Sequence, residues 1–88
     1  MYSRIYNKNL ARKLAKIKSK DPKQYQIIIK KIEQIRDNPE HRYKDLHYSM
    51  KGIKRVHIGP FVLIFVIDHK KKSISFEGYD HHDKVYQR

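Results

Sequence analysis

The chain has 88 residues, no cysteine, and 21 Lys plus Arg against 9 Asp plus Glu, a formal net charge of +12. That excludes a disulfide framework, a thiolate nucleophile and a cysteine-built zinc site, and it predicts one domain over residues 1–88 whose surface attracts polyanions. The longest apolar run, residues 61–67, is far short of the roughly 20 residues a membrane-spanning helix needs, and Met1-Tyr2-Ser3-Arg4 offers no apolar signal core, so the expectation is a cytoplasmic protein with no membrane partner.

Residues 2–6 alternate, with Tyr2, Arg4 and Tyr6 on one face and Ser3 and Ile5 on the other, which predicts a short strand. Asn7 is a candidate N-cap. From Lys8 the period becomes helical: Leu10, Leu14 and Ile17 form an apolar stripe with Ala11 and Ala15 beside it. Lys8, Arg12, Lys13, Lys16 and Lys20 occupy the opposite face, and no acidic residue precedes Asp21. Asp21-Pro22 starts a second helix, with Asp as cap, Pro at the first helical position and Gln24 as the capping-box partner. Tyr25, Ile28, Ile29, Ile32 and Ile35 line its apolar side, and Pro39 ends it. So short a connection folds the two helices back as an antiparallel hairpin.

Residues 40–52 read as polar and irregular, anchored by Leu46 and Met50. Residues 53–58 form a strand, Gly59-Pro60 a turn, and residues 61–67 a strand apolar on both faces. A charged turn over residues 68–72 leads to an alternating strand at residues 73–77, which Gly78 ends. The fold class is therefore α+β: an N-terminal strand, an antiparallel helix hairpin and a three-stranded antiparallel meander. The helices cover one sheet face, and the other is the polar, functional one.

Strand parity puts Arg55 and His57 on one side and Lys54, Val56 and Ile58 on the other. The tail residues His81, His82 and Tyr86 are expected at the edge of the Arg55–His57 face, with Lys51 just before the strand. Cations, imidazoles and a phenol suit cleavage of an RNA backbone. The 2′-hydroxyl needs a base, the phosphorane needs fixed positive charge, and the leaving 5′ oxygen needs an acid. Histidine can serve as base or acid, arginine holds phosphate oxygens, and tyrosine stacks on a base. The bland alternatives stay open: an ordinary sheet-surface pair at Arg55 and His57, and a merely solvated basic helix face. Asp80-His81-His82-Asp83 has the look of a metal box, but adjacent residues rarely aim at one ion, so no metal and no cofactor are expected.

Leu46…Gly52, then Lys54-Arg55-Val56-His57-Ile58-Gly59-Pro60-Phe61-Val62-Leu63-Ile64-Phe65, then Asp68, then Gly78…His81-His82-Asp83-Lys84-Val85-Tyr86, is an order that resembles the RelE branch of the RelE/ParE toxin superfamily. The resemblance covers essentially the whole chain. It implies the RelE-like microbial RNase fold and the toxin of a type II toxin–antitoxin system, a metal-independent, ribosome-dependent mRNA endonuclease that cuts A-site codons and stops translation. The implied partners are a RelB-like antitoxin, in a heterodimer or heterotetramer, and the ribosome with its mRNA and 16S rRNA. On this resemblance Arg55 and His57 match two phosphate-binding positions, Tyr86 matches a tyrosine that stacks on a base or supports in-line attack, and His81 and His82 fall where relatives carry basic residues. Lys51, Lys54, Arg12, Lys13 and Lys16 are the expected RNA contacts. Two positions depart from the pattern: Val62 stands where the family often has an arginine, and so does Asp80. A ParE-like gyrase poison of the same fold and a non-catalytic RNA- or ribosome-binding module are the alternatives.

Overall fold

The computed structural model describes residues 1–47 and 50–85. Among them the elements are β1 (Ser3–Tyr6), α1 (Lys8–Lys20), α2 (Pro22–Asp37), β2 (Lys44–Asp45), β3 (Lys54–Ile58), β4 (Phe61–Asp68), β5 (Ser73–His81) and α3 (His82–Val85).

The helix hairpin follows from its caps. The Asn7 side chain accepts the Asn9 N–H at 2.8 Å and starts α1. Asp21 then serves both helices. Its backbone N–H donates to the Ile17 carbonyl at 2.7 Å, and its carboxylate accepts the Gln24 N–H at 3.2 Å. Pro22 takes the first position of α2, where a missing N–H costs nothing. The Gln24 side chain does not complete the expected capping box. It donates instead to the Tyr79 hydroxyl on the sheet. The N–H of Asn38 closes α2 just before Pro39.

The sheet has the strand order β1-β5-β4-β3-β2, with β1 parallel to β5 and the other pairs antiparallel. Two departures from the sequence expectation shape it. A fifth strand, β2, pairs with β3 inside the segment expected to be irregular. In addition, Gly78 does not end β5. Pairing steps from Ile64 opposite Gly78 to Phe65 opposite Phe76, so Glu77 is a bulge residue, and the strand runs on to His81. Bulging shifts side-chain parity by one, which is why Phe76 and Tyr79 both face the helices although they are three positions apart.

Leu10 and Leu14 of α1, Ile28, Ile32 and Ile35 of α2, and Leu63, Phe65, Ile74, Phe76 and Tyr79 of the sheet form the main core. Val62 and Val85 are also buried, but outside that cluster. Val62 points to the other sheet face, and α3 packs on β4 and β5. The face expected to be polar is therefore part apolar, because the central strand is covered on both sides near Val62. No helix among the described residues is long and apolar enough to cross a membrane.

Candidate active site

Arg55 and His57 are one pleat apart on β3 and share a face. Arg55 Nη1 lies 3.1 Å from His57 Nε2. A guanidinium has no acceptor, so a hydrogen bond across this contact uses the imidazole nitrogen as its acceptor. Arg55 is aimed by a second bond, from its Nε to the Asp45 carbonyl at 3.1 Å. Asp45 is thus a positioning residue that the sequence reading missed. Its carboxylate also accepts from Lys54 Nζ at 2.8 Å and from the Gly52 N–H at 3.3 Å, tying β2, β3 and the intervening loop together. These bonds hold its carboxyl below the usual aspartate range: the Lys54 hydrogen bond first, then the Gly52 N–H, with the Lys54 and Lys51 charges adding to them. A lone acid nine residues before a lysine, with Gly52 between them, was the available signal.

Register defines what lies beside the pair. Arg55 is opposite Ile64, which is opposite Gly78; His57 is opposite Val62, which is opposite Asp80. Ile64 and Gly78 belong to the lining of a hollow of about 680 Å³ whose walls also include Leu46, Met50, Val66 and Val85 together with the charged Lys13, Glu77, Asp80 and Lys84. The guanidinium–imidazole pair therefore stands on the strand next to a hollow of mixed polar and apolar lining. Gly78 is not sterically required there, since a Cβ would meet only Ile64 Cδ1 at 3.9 Å.

The tail histidines are placed differently from the expectation. His81 pairs with Phe61, and its ring packs edge-on to the Phe61 ring at 5.8 Å. By register it lies on the helix-covered side of the sheet, opposite to the face of Arg55 and His57. Two strand spacings, about 10 Å, separate β3 from β5. His81 and His82 stack on one another with centroids 4.6 Å apart, and the His82 N–H donates to the Pro60 carbonyl at 3.0 Å, fastening the start of α3 to the β3–β4 turn. Thus Arg55 joins His57, and His81 joins His82, as two pairs on either side of the sheet's end. Tyr86 lies outside the described residues.

The expected RNA contacts also divide. Lys51, Arg12 and Lys16 are exposed. Lys54 faces away from Arg55 and pairs with Asp45 at 2.8 Å. Lys13 is engaged as a structural tie, donating to the Tyr79 carbonyl at 2.8 Å and to Asp80 at 2.7 Å. This joins α1 to the part of β5 that extends beyond β1. Asp80 therefore has a partner in α1, and Val62, where an arginine was looked for, is sealed from solvent.

Known proteins share both sequence and architecture with this chain. No family model matches it. An uncharacterised protein of Methanosarcina mazei is 46% identical over 87 residues, covering 98% of this chain and 100% of the relative. A protein of Methanocaldococcus jannaschii described as a candidate toxin, RelE4, is 39% identical over 89 residues, covering 100% of this chain and 94% of the relative. Among solved structures, the toxin–antitoxin complex RelBE2 of Mycobacterium tuberculosis contains a chain with the same fold, at a TM-score of 0.73 and 18% identity, covering 91% of this chain and 96% of that one. The full-length identity, together with the strand–hairpin–sheet order and the basic β3, makes this chain a member of the RelE toxin family.

Proposed function

We propose that the chain is the toxin of a toxin–antitoxin pair and that it cuts mRNA on the ribosome at A-site codons. The observation that carries the reading is the Arg55–His57 contact, a fixed cation held 3.1 Å from an imidazole nitrogen, on the strand beside a hollow of mixed polar and apolar lining. When a phosphodiester enters, Arg55 turns its donors to the phosphate oxygens, and the lone pair on His57 Nε2 is released. That nitrogen takes the 2′-hydroxyl proton. The 2′ oxygen then bonds to phosphorus, and the bond to the 5′ oxygen breaks, leaving a 2′,3′-cyclic phosphate and a 5′-hydroxyl. His81 and His82 are the imidazoles proposed to return a proton to the leaving oxygen around the end of the sheet, and Tyr86 to stack on a base. Arginine charge directed at the phosphorane supplies the electrostatic stabilisation, with Lys51 as the nearest exposed lysine in sequence. Arg12 and Lys16 offer phosphate contacts along α1.

An acidic, RelB-like partner would answer the surplus of positive charge and cover half-exposed apolar side chains such as Ile5 and Ile27. Its support is the architecture shared with a chain from a toxin–antitoxin complex.

The test is in vitro translation with purified protein, followed by primer extension on the message. Discrete cuts within codons that need ribosomes, and that vanish in Arg55→Ala and His57→Ala, support the proposal. DNA breakage ahead of any loss of protein synthesis would favour a gyrase poison. Inhibition that survives alanine at Arg55, His57, His81, His82 and Tyr86, but not charge reversal on α1, would make the chain a binding module.

A further inference from the structure

We propose that His81, His82 and Asp83 form a binding site for one divalent transition-metal ion of the zinc class. Adjacent residues in a strand or helix diverge, but these three straddle the junction of β5 and α3, where the chain changes from one period to the other. The junction is pinned by the His82 N–H on the Pro60 carbonyl at 3.0 Å. The Asp83 carboxylate faces the Nδ1 edge of both stacked imidazoles. One of its oxygens is 3.1 Å from His82 Nδ1 and the other 3.6 Å from His81 Nδ1. One donor atom from each of the three residues falls within 4.8 Å of the others.

Those separations have a specific meaning. An ion held tetrahedrally at about 2.0–2.2 Å from nitrogen and oxygen ligands keeps neighbouring donors roughly 3.3–3.6 Å apart. The two imidazole–carboxylate distances, made to different oxygens of Asp83, lie close to that range, so a common ion requires side-chain rotation and no backbone movement. The His81 and His82 rings stack at 29°, and because imidazole lone pairs lie in the ring planes, binding one ion requires the two rings to rotate out of that stack so that a nitrogen of each aims at the same point. Asp83 N–H donates to His81 Nδ1 at 3.2 Å, a long bond that such an ion displaces or that leaves Nε2 as the ligand.

Charge and access agree. The chain carries +12 and Lys13 already answers Asp80, but residues 81–83 themselves contain no lysine or arginine. His82 and Asp83 are exposed, so an ion enters freely and keeps solvent in its remaining coordination position. Two imidazoles and one carboxylate form the borderline donor set that selects zinc and its neighbours over magnesium or calcium. The assignment stands on these three side chains alone; an ion held there occupies imidazole nitrogens that the nuclease reading uses to return a proton, so bound metal and that acid role exclude one another.

The experiment is calorimetric titration of the untagged full chain with zinc chloride, repeated with cobalt(II), whose visible absorption reports tetrahedral nitrogen and oxygen ligands. One equivalent is expected to bind, and Asp83→Ala and His82→Ala should each weaken it at least tenfold. His69→Ala, at a histidine in the β4–β5 turn, should leave it unchanged. Circular dichroism checks that the exposed-site variants stay folded. Absence of binding to the wild-type chain, or binding that persists in a folded His82→Ala/Asp83→Ala double variant, overturns the proposal. Cleavage activity plays no part in this readout, so its outcome is separate from that of the ribonuclease test.

Discussion

Replacing Tyr79 by phenylalanine tests whether β5 really continues through its bulge. Tyr79 is 3% exposed, stacks on Phe61 at 5.1 Å, and its hydroxyl accepts from the Gln24 side chain at the start of α2. Tyr79→Phe keeps the ring and removes one partly buried hydrogen bond, a loss of about 1 kcal/mol. A chain of 88 residues has roughly 4–13 kcal/mol of total stability. For this size, 1 kcal/mol lowers Tm by about 4–8 °C. Gln24→Ala strands the phenol without its partner and costs about 1–3 kcal/mol. Removing both should therefore cost less than the sum, with a coupling near 1 kcal/mol in a double-mutant cycle. Tyr79→Ala is the severe control, at about 3–5 kcal/mol for a vacated aromatic site. Urea unfolding monitored by circular dichroism measures all four. A Tyr79→Phe variant as stable as wild type, with zero coupling to Gln24, would refute the register and return Tyr79 to an exposed tail.

Acid and alkaline unfolding bear on two further groups. The Asp45 carboxyl is held below its ordinary value, so its contribution is present above pH 3.8 and is lost as pH falls through the depressed folded value. Asp45→Asn should abolish that acid-side loss and loosen Arg55, seen as a flatter stability–pH curve in the acid range. Burial raises the Tyr6, Tyr43 and Tyr79 phenols above 10.0. Their contribution is complete below pH 10 and is lost as pH rises through the raised folded values, so Tyr79→Phe should shrink the alkaline loss. Val62→Arg places a charge at a position with 0% exposure and should destabilise by at least about 3 kcal/mol or expel α3, which tryptic cleavage after Lys84 would reveal. Binding to ribosomes should fall linearly in log K against log salt; a flat plot would remove phosphate contact as the source of affinity.

Local chemistry was legible in the sequence, and non-local register was not. The Leu10–Leu14–Ile17 and Ile28–Ile32–Ile35 stripes, the double use of Asp21 and the stop at Pro39 all depend on neighbours a few residues away. The Arg55–His57 pair was legible for the same reason, because period two holds along an unbulged strand. Glu77 breaks that rule. A bulge depends on how β4 and β5 meet, and nothing local distinguishes Glu77 from any other alternating residue. Beyond it every face assignment shifts by one, so Tyr79 joins the core and His81 leaves the face assigned to it. β2 escaped notice because its two residues, Lys44 and Asp45, owe their strand conformation to pairing with Arg55 and Lys54 rather than to propensity. The Asp80–Asp83 run stood out in the sequence but was discounted as a metal site, because the closeness of the His81, His82 and Asp83 donor atoms arises where one period gives way to another.

Single-turnover cleavage on programmed ribosomes, measured for Arg55→Ala, His57→Ala and the double variant, bears most directly on the guanidinium–imidazole pair. If the two act as one unit, each single change lowers the rate by about 10²-fold or more, and the double variant is scarcely slower than the worse single. Wild-type rates in either single variant, or losses that multiply in the double, would contradict that joint role.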